Sequence, residues 1–114
     1  MIKKIIATCS VFFPLLFLAG EASAFVSSQT GQVTQLIIRS SDGLVYFYLS
    51  GNLSARPACA LGGYWMVKDE NSPSGKRQVA ALIAARLSGQ AITVTGSGTC
   101  TRWHDGEDLD GIFI

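Results

Sequence analysis

VTQLIIRSSDGLVYFYL, residues 33–49, is the stretch whose reading decides the fold. Val33 to Arg39 is rich in β-formers, Ser40 to Gly43 is a turn signal, and Leu44 to Leu49 is a second run of aliphatic, β-branched and aromatic residues. Two such runs joined by a short polar turn predict a β-hairpin. Strand side chains alternate between faces, so Val45, Phe47 and Leu49 share one side and Leu44, Tyr46 and Tyr48 the other. Both faces are therefore partly apolar.

Working outward, Ser50 to Pro57 is loop-like, and Cys59 to Val67 predicts a third strand with Gly62-Gly63 as a bulge or bend. Asn71 to Gly75 breaks that pattern and opens a helix, with Ser72 or Ser74 as N-cap. Val79, Leu82, Ile83 and Leu87 fall at helical spacing, and Gly89 closes the helix in a left-handed conformation. Ala91 to Thr95 alternates, with Ile92 and Val94 inward. A polar loop, Arg102 to Asp108, then leads to a last strand from Leu109 to Ile114.

Three strands, one helix and two strands make a mostly β chain. That order predicts a five-stranded OB-fold-like Greek-key barrel with its helix between strands 3 and 4. An α+β sandwich with the same element order is the alternative.

The beginning of the chain reads as an export signal. Lys3 and Lys4 precede an apolar stretch from Ile5 to Gly20, and Ala22-Ser23-Ala24 supplies small residues for cleavage before Phe25. The stretch, interrupted by Pro14, is short for a membrane span of about 20 residues. Cys9 lies inside the apolar core, where a lipid-attachment cysteine does not belong. Residues 1–24 are thus expected to be a signal peptide, and residues 25–114 a single secreted or periplasmic domain with no membrane span after cleavage.

The domain is small enough that all function must sit on one scaffold. Of nine basic and eight acidic side chains, Lys3, Lys4 and Glu21 precede the cleavage point, which leaves a formally neutral domain. Lys68, Lys76, Arg77, Arg86 and Arg102 are diluted by acids, and export separates the chain from cytoplasmic nucleic acid, so no nucleic-acid partner is expected. Cys59 and Cys100 remain of the three cysteines, and in an oxidising compartment a disulfide is the economical reading, with two separate thiols as the alternative.

The stretch Arg56-Pro57-Ala58-Cys59-Ala60, then Trp65, Leu87-Ser88-Gly89-Gln90 before Ala91-Ile92-Thr93-Val94, and Gly98-Thr99-Cys100-Thr101 resembles the B subunits of subtilase-cytotoxin-like and pertussis-like AB toxins. The resemblance covers most of residues 33 to 101, in spacing more than identity. It implies an OB-fold subunit that assembles into a pentameric ring, binds sialylated glycans and carries an enzymatic A subunit. The chain is shorter than those subunits, lacks their insertion after the fourth strand and has its own acidic ending. Their pocket serine has no clear counterpart, since neither Ser28 nor Thr30 sits in a matching motif.

Other chemistries are weighed by residue. His104 and Asp105 could form a base with an orienting carboxylate, but Ser97, Thr99 and Thr101 sit in no nucleophile motif, so no enzyme is expected. Asp105, Glu107, Asp108 and Asp110 offer oxygen ligands to calcium, yet the chain stops short of a twelve-residue EF-hand loop. A solvated acidic loop is the reading, with no metal and no cofactor.

Recognition remains. Tyr46 and Tyr48 share a strand face, while Arg102, Trp103, His104 and Asp105 lie on the loop between the last two strands, which OB domains use for ligands. Aromatic planes stack on sugars and polar groups fix hydroxyls or a carboxylate. The alternative is that Trp103 caps the barrel and the tyrosines pack beneath the helix or a neighbour. Ala80, Ala81, Ala84 and Ala85 would permit close helix packing in a homo-oligomer. The expected function is a non-enzymatic module that binds a glycan or protein, and a free-standing periplasmic envelope or stress protein without a toxin partner is the alternative.

Overall fold

The computed structural model describes residues 27–114; the expected signal peptide 1–24 and its cleavage site lie outside them. Five strands, β1 (Ser28–Ile38), β2 (Val45–Leu49), β3 (Trp65–Met66), β4 (Ala91–Gly96) and β5 (Glu107–Phe113), close into a barrel in the order β1-β2-β3-β5-β4. The helix α1 (Pro73–Ser88) lies between β3 and β4 in sequence. Every pairing is antiparallel except β3 with β5. This is an OB-fold-like barrel.

The hairpin forms as its sequence predicts. Val45, Phe47 and Leu49 point inward, and Tyr46 and Tyr48 are half-buried on the outer face. Asp42 ties the turn by accepting the Leu44 N–H at 3.2 Å, and Gly43 takes a φ of 74°. Phe47 and Trp65, both fully buried, centre a core with Val33, Val67, Leu82, Ile92, Val94 and Leu109.

β1 starts at Ser28, not Val33. Its first half pairs with β4 and its second half with β2, across a bulge between Val33 and Gln35. The polar segment Ser28 to Gln32 conceals this role, because the inward residue is Gln29. Its amide donates to the Leu49 and Gly51 carbonyls, and its carbonyl accepts the Trp65 indole N–H at 2.8 Å. Gly31 completes the fit, since a Cβ there would stand 1.8 Å from the Ser50 carbonyl oxygen.

β3 is only Trp65–Met66, shorter than the predicted Cys59 to Val67. The residues before it do not enter the ladder. Arg56 serves them instead, its guanidinium donating to the carbonyls of Gly62 and Tyr64. The Cys59–Cys100 disulfide, with Cα atoms 6.1 Å apart, fastens this segment to the β4–β5 loop. By loop entropy a crosslink of this span stabilises by roughly 3 to 4 kcal/mol.

In α1, Ser72 is the N-cap, its hydroxyl accepting the Gly75 N–H at 2.9 Å, and Gly89 ends the helix at φ 70°. The buried positions are Gly75, Leu82 and Ala85, with Val79 partly buried. The expected apolar stripe is thus corrected: Ile83 is 40% exposed and Leu87 83% exposed. The helix buries only a narrow face against the barrel core. Among the described residues no helix is long and apolar enough to cross a membrane.

β5 begins at Glu107, so the acidic segment is not a solvated loop. Glu107 and Asp108 are both fully buried and pair with Trp65 and Met66 in the parallel ladder. Asp108 accepts from the Thr99 and Thr101 hydroxyls and from the Thr101 and Arg102 N–H groups, at 2.6 to 3.1 Å. Glu107 accepts from Ser27 Oγ and from Gly98 N, and its other oxygen lies 3.5 Å from Arg56 Nε.

Burial opposes ionisation of Asp108, but the bonds from Thr101, Thr99 and Arg102 outweigh it and hold the carboxyl below its ordinary pKa. A depressed folded-state value gives stability that is present above the unfolded pKa of about 3.9 and lost as pH falls through the folded one. Asp108→Asn should therefore destabilise the neutral protein by on the order of 3 kcal/mol. Denaturant melts against pH should also show a flatter acid decline for the variant than for the unmodified protein.

Candidate functional site

The outer face of β2 and β3 carries an aromatic cleft between the β1–β2 turn and the β4–β5 loop. Leu44, Tyr46 and Met66 come from the hairpin and β3, Tyr64 from the residue before β3, Arg39 from the residue after β1, and Trp103 from the loop; together they line a cavity of about 60 Å³. Leu44 and Met66, 2% and 1% exposed, make its floor.

Alternation explains the tyrosines. Because Val45, Phe47 and Leu49 fill the core, Tyr46 and Tyr48 must face out, and the antiparallel β2–β3 register brings Tyr64 beside them. The Tyr64 ring stands 5.3 Å from that of Tyr46 and 5.8 Å from that of Tyr48, tilted and edge-on. Its hydroxyl donates to Asp105. Gly106 leaves room for this, since a Cβ would come within 2.4 Å of the Tyr64 ring.

Trp103 is half-buried, with the Arg39 guanidinium 5.2 Å from its ring centre and the His104 ring 5.2 Å away. Arg39 is itself held by Asp42, through Nε at 3.1 Å and through Nη2. The hydrogen bonds between the two raise the Arg39 pKa and lower that of Asp42.

Of the residues expected to form the site, Tyr46 and Trp103 line the cleft, Tyr48 and Asp105 adjoin it through Tyr64, and His104 lies exposed at the rim. Arg102 does not join them. It turns away to Glu70 at 2.7 Å and the Asp42 carbonyl at 3.1 Å, and lines a separate polar depression with Lys68, Asp69 and Asn71. By bonding to both, Arg102 clamps the hairpin turn and the β3–α1 loop.

Arg39, Leu44, Tyr64 and Met66 escaped the sequence reading as site residues. Tyr64 had a signal, since with Trp65 inward its neighbour faces out beside the β2 tyrosines.

The groups weighed for other chemistry are engaged elsewhere. Ser97 and Thr99 bond to each other, and Thr99 and Thr101 bond to Asp108. Asp105 is taken by Tyr64 rather than by His104. Among the described residues no three His, Cys, Asp or Glu side chains gather as a metal site.

Comparison of the chain with protein-family models, curated proteins and solved structures returned no match. The site must therefore be read from its own chemistry.

Burial, with Asp105 adding to it, holds the Tyr64 phenol well above its ordinary pKa. A raised folded-state value gives stability that is full below the unfolded pKa of about 10 and is lost as pH rises through the folded one. In alkaline titration Tyr64→Phe should develop the same phenolate absorbance as the unmodified protein until unfolding begins. Its stability should also decline less steeply above about pH 10.

Proposed function

We propose that the chain is a secreted or periplasmic, non-enzymatic binding module that recognises a glycan through the cleft of Tyr46, Tyr64 and Trp103. The observation that carries this reading is an outward aromatic cluster on the β2–β3 face, flanked by the two loops with which OB-type barrels hold oligosaccharides. Partly exposed rings offer apolar planes to a sugar face, and Asp105 and the tyrosine hydroxyls supply polar contacts. The resemblance to AB-toxin B subunits agrees with this reading and adds a homo-oligomer and an enzymatic A subunit as partners.

Assembly draws support from the helix, through part of the alanine face that the sequence suggested. Ala85 is buried in the core and cannot serve an interface. Ala80, Ile83, Ala84 and Leu87 instead form an exposed small-and-apolar stripe on the opposite side.

Glycan-array binding by the mature protein tests recognition. Trp103→Ala should weaken retention by on the order of 1 to 3 kcal/mol while thermal stability stays nearly unchanged. A variant that binds as well as the unmodified protein would rule out the cleft. Light scattering tests assembly: Ala84→Glu should split an oligomer without unfolding its subunits, and a monomer for the unmodified protein at micromolar concentration would refute the ring.

A further inference from the structure

Two surfaces away from the aromatic cleft, one on α1 and one on the sheet of β1, β4 and β5, differ in charge and relief in a way that says how copies meet, on the premise that the assembly reading above holds. We infer that the exposed α1 stripe of one copy seats on the outer β1–β4–β5 face of the next, so that each subunit joins its neighbours through two different surfaces.

Charge opposes a contact of the helix with its own copy. Lys76, Arg77 and Arg86 are the charged residues of α1, and among the described residues none of them enters a salt bridge. Two such helices in contact would gather six cations, three from each copy, and no carboxylate. The stripe of Ala80, Ile83, Ala84 and Leu87 needs a surface that is neutral at its centre and acidic at its border.

The outer face of β1, β4 and β5 meets that need. Ile92 and Val94 are buried in the core, so Thr93 and Thr95 point outward. Register sets Thr93 between Thr30 and Phe113, and Thr95 between Ser28 and Gly111. Neither row holds a charge, as the centre of a protein interface requires. The hydroxyls are already partnered, Thr30 with Thr93 at 2.8 Å and Thr95 with the Gly111 N–H at 3.2 Å, which lowers the cost of covering them. Phe113 is 61% exposed although it belongs to a strand. Beside Gly111, Asp110 is exposed and in no salt bridge among the described residues, and it offers a border carboxylate to the neighbour's helix cations.

Size and relief agree. Three strands about 4.8 Å apart make a face about 10 Å across, the width of one helix. The face is low at Thr95 and Gly111, which suits Ile83 and Leu87, and raised at Phe113, which suits the small side chains Ala80 and Ala84. Unlike surfaces joined head to tail close into a ring when the rotation allows. Neither surface includes a residue that lines the cleft, so the aromatic rings stay open to ligand.

Crosslinking tests the pairing. Leu87 and Phe113 are exposed, so a cysteine at either disturbs the fold little, and Cys59 and Cys100 are held in their disulfide. Co-expressed and treated with a short bismaleimide, Leu87→Cys and Phe113→Cys chains should link to each other, and either variant alone should stay unlinked. Leu87→Cys that links to itself, or a co-expressed pair that stays unlinked although light scattering shows an oligomer, would overturn the inference and leave assembly standing.

Mixing gives a second test. Ala84→Arg and Phe113→Arg should each be folded monomers, and their equimolar mixture should double in mass and stop there, because one sound helix stripe meets one sound sheet face. Folded variants that stay monomeric when mixed, or Phe113→Arg that keeps the unmodified oligomer, would overturn the inference as well. A monomer for the unmodified protein at micromolar concentration would sink both the inference and the assembly reading.

Discussion

Two carboxylates without solvent, Glu107 and Asp108, hold the barrel closed where its sheet is narrowest. β3 contributes two residues, and the parallel contact Trp65 to Glu107 and Met66 to Asp108 is all that joins the two halves of the sheet on that side. A ladder so short supplies few backbone bonds. The side chains supply the rest: Asp108 gathers four donors from Thr99, Thr101 and Arg102, and Glu107 gathers Ser27, Gly98 and Arg56. Burying a carboxylate is costly unless its lone pairs are met; donors from the β4–β5 loop meet those of Asp108, whereas Glu107 Oε1 has the Arg56 guanidinium at 3.5 Å and no hydrogen bond. Removing a single donor leaves most of a carboxylate's contacts; removing either acid strands all of its own donors.

The closure also positions the aromatic cleft. The donors that satisfy Asp108 lie at Thr99 to Arg102, the run that ends immediately before Trp103, so the bonds that seal the barrel fix the loop that carries the indole. Arg56 does the same from the other side. Its guanidinium stacks on Trp65 at 4.8 Å, approaches Glu107 and accepts no substitute easily, because it also holds the Gly62 and Tyr64 carbonyls that set the position of the Tyr64 ring. The disulfide ties these two irregular segments covalently. Both walls of the cleft are therefore anchored to the core by polar groups rather than by ladder pairing.

That arrangement explains what the sequence disclosed and what it hid. The hairpin, the helix with Ser72 and Gly89 at its ends, and the alternation of β4 are local patterns, each legible because apolar periodicity and turn chemistry agree. β1 before Val33 and β5 before Leu109 were hidden because their inward residues, Gln29, Glu107 and Asp108, are polar, and polarity is read as exposure. Only long-range partners, Trp65 for Gln29 and the β4–β5 loop for Asp108, make those side chains core residues. Half the site was legible for a related reason: Tyr46, Tyr48, Trp103 and Asp105 are conspicuous by type. Arg39 and Met66 owe their place to the way the turn and the narrow third strand fold over one another, and Arg102, equally conspicuous, is drawn away by Glu70.

The aromatic cluster need not have been a surface at all. Tyr46 and Tyr48 could have packed beneath the helix, the alternative that their outward position left open. The topology prevents it: α1 packs through Leu82 and Ala85 into the barrel core, whereas the β2–β3 face is bordered by loops. Those loops cover the face only in part. Gly106 admits the Tyr64 ring against the β4–β5 loop, and Arg39 props Trp103 from the hairpin side, which leaves the rings half-buried and the floor dry. The face closes over Leu44 and Met66, which keep almost no exposed surface, and leaves Tyr46, Tyr64 and Trp103 half-buried above them. Supports from both loops, Arg39 against Trp103 and Asp105 on the Tyr64 hydroxyl, thus hold the rings at the surface above a closed apolar layer.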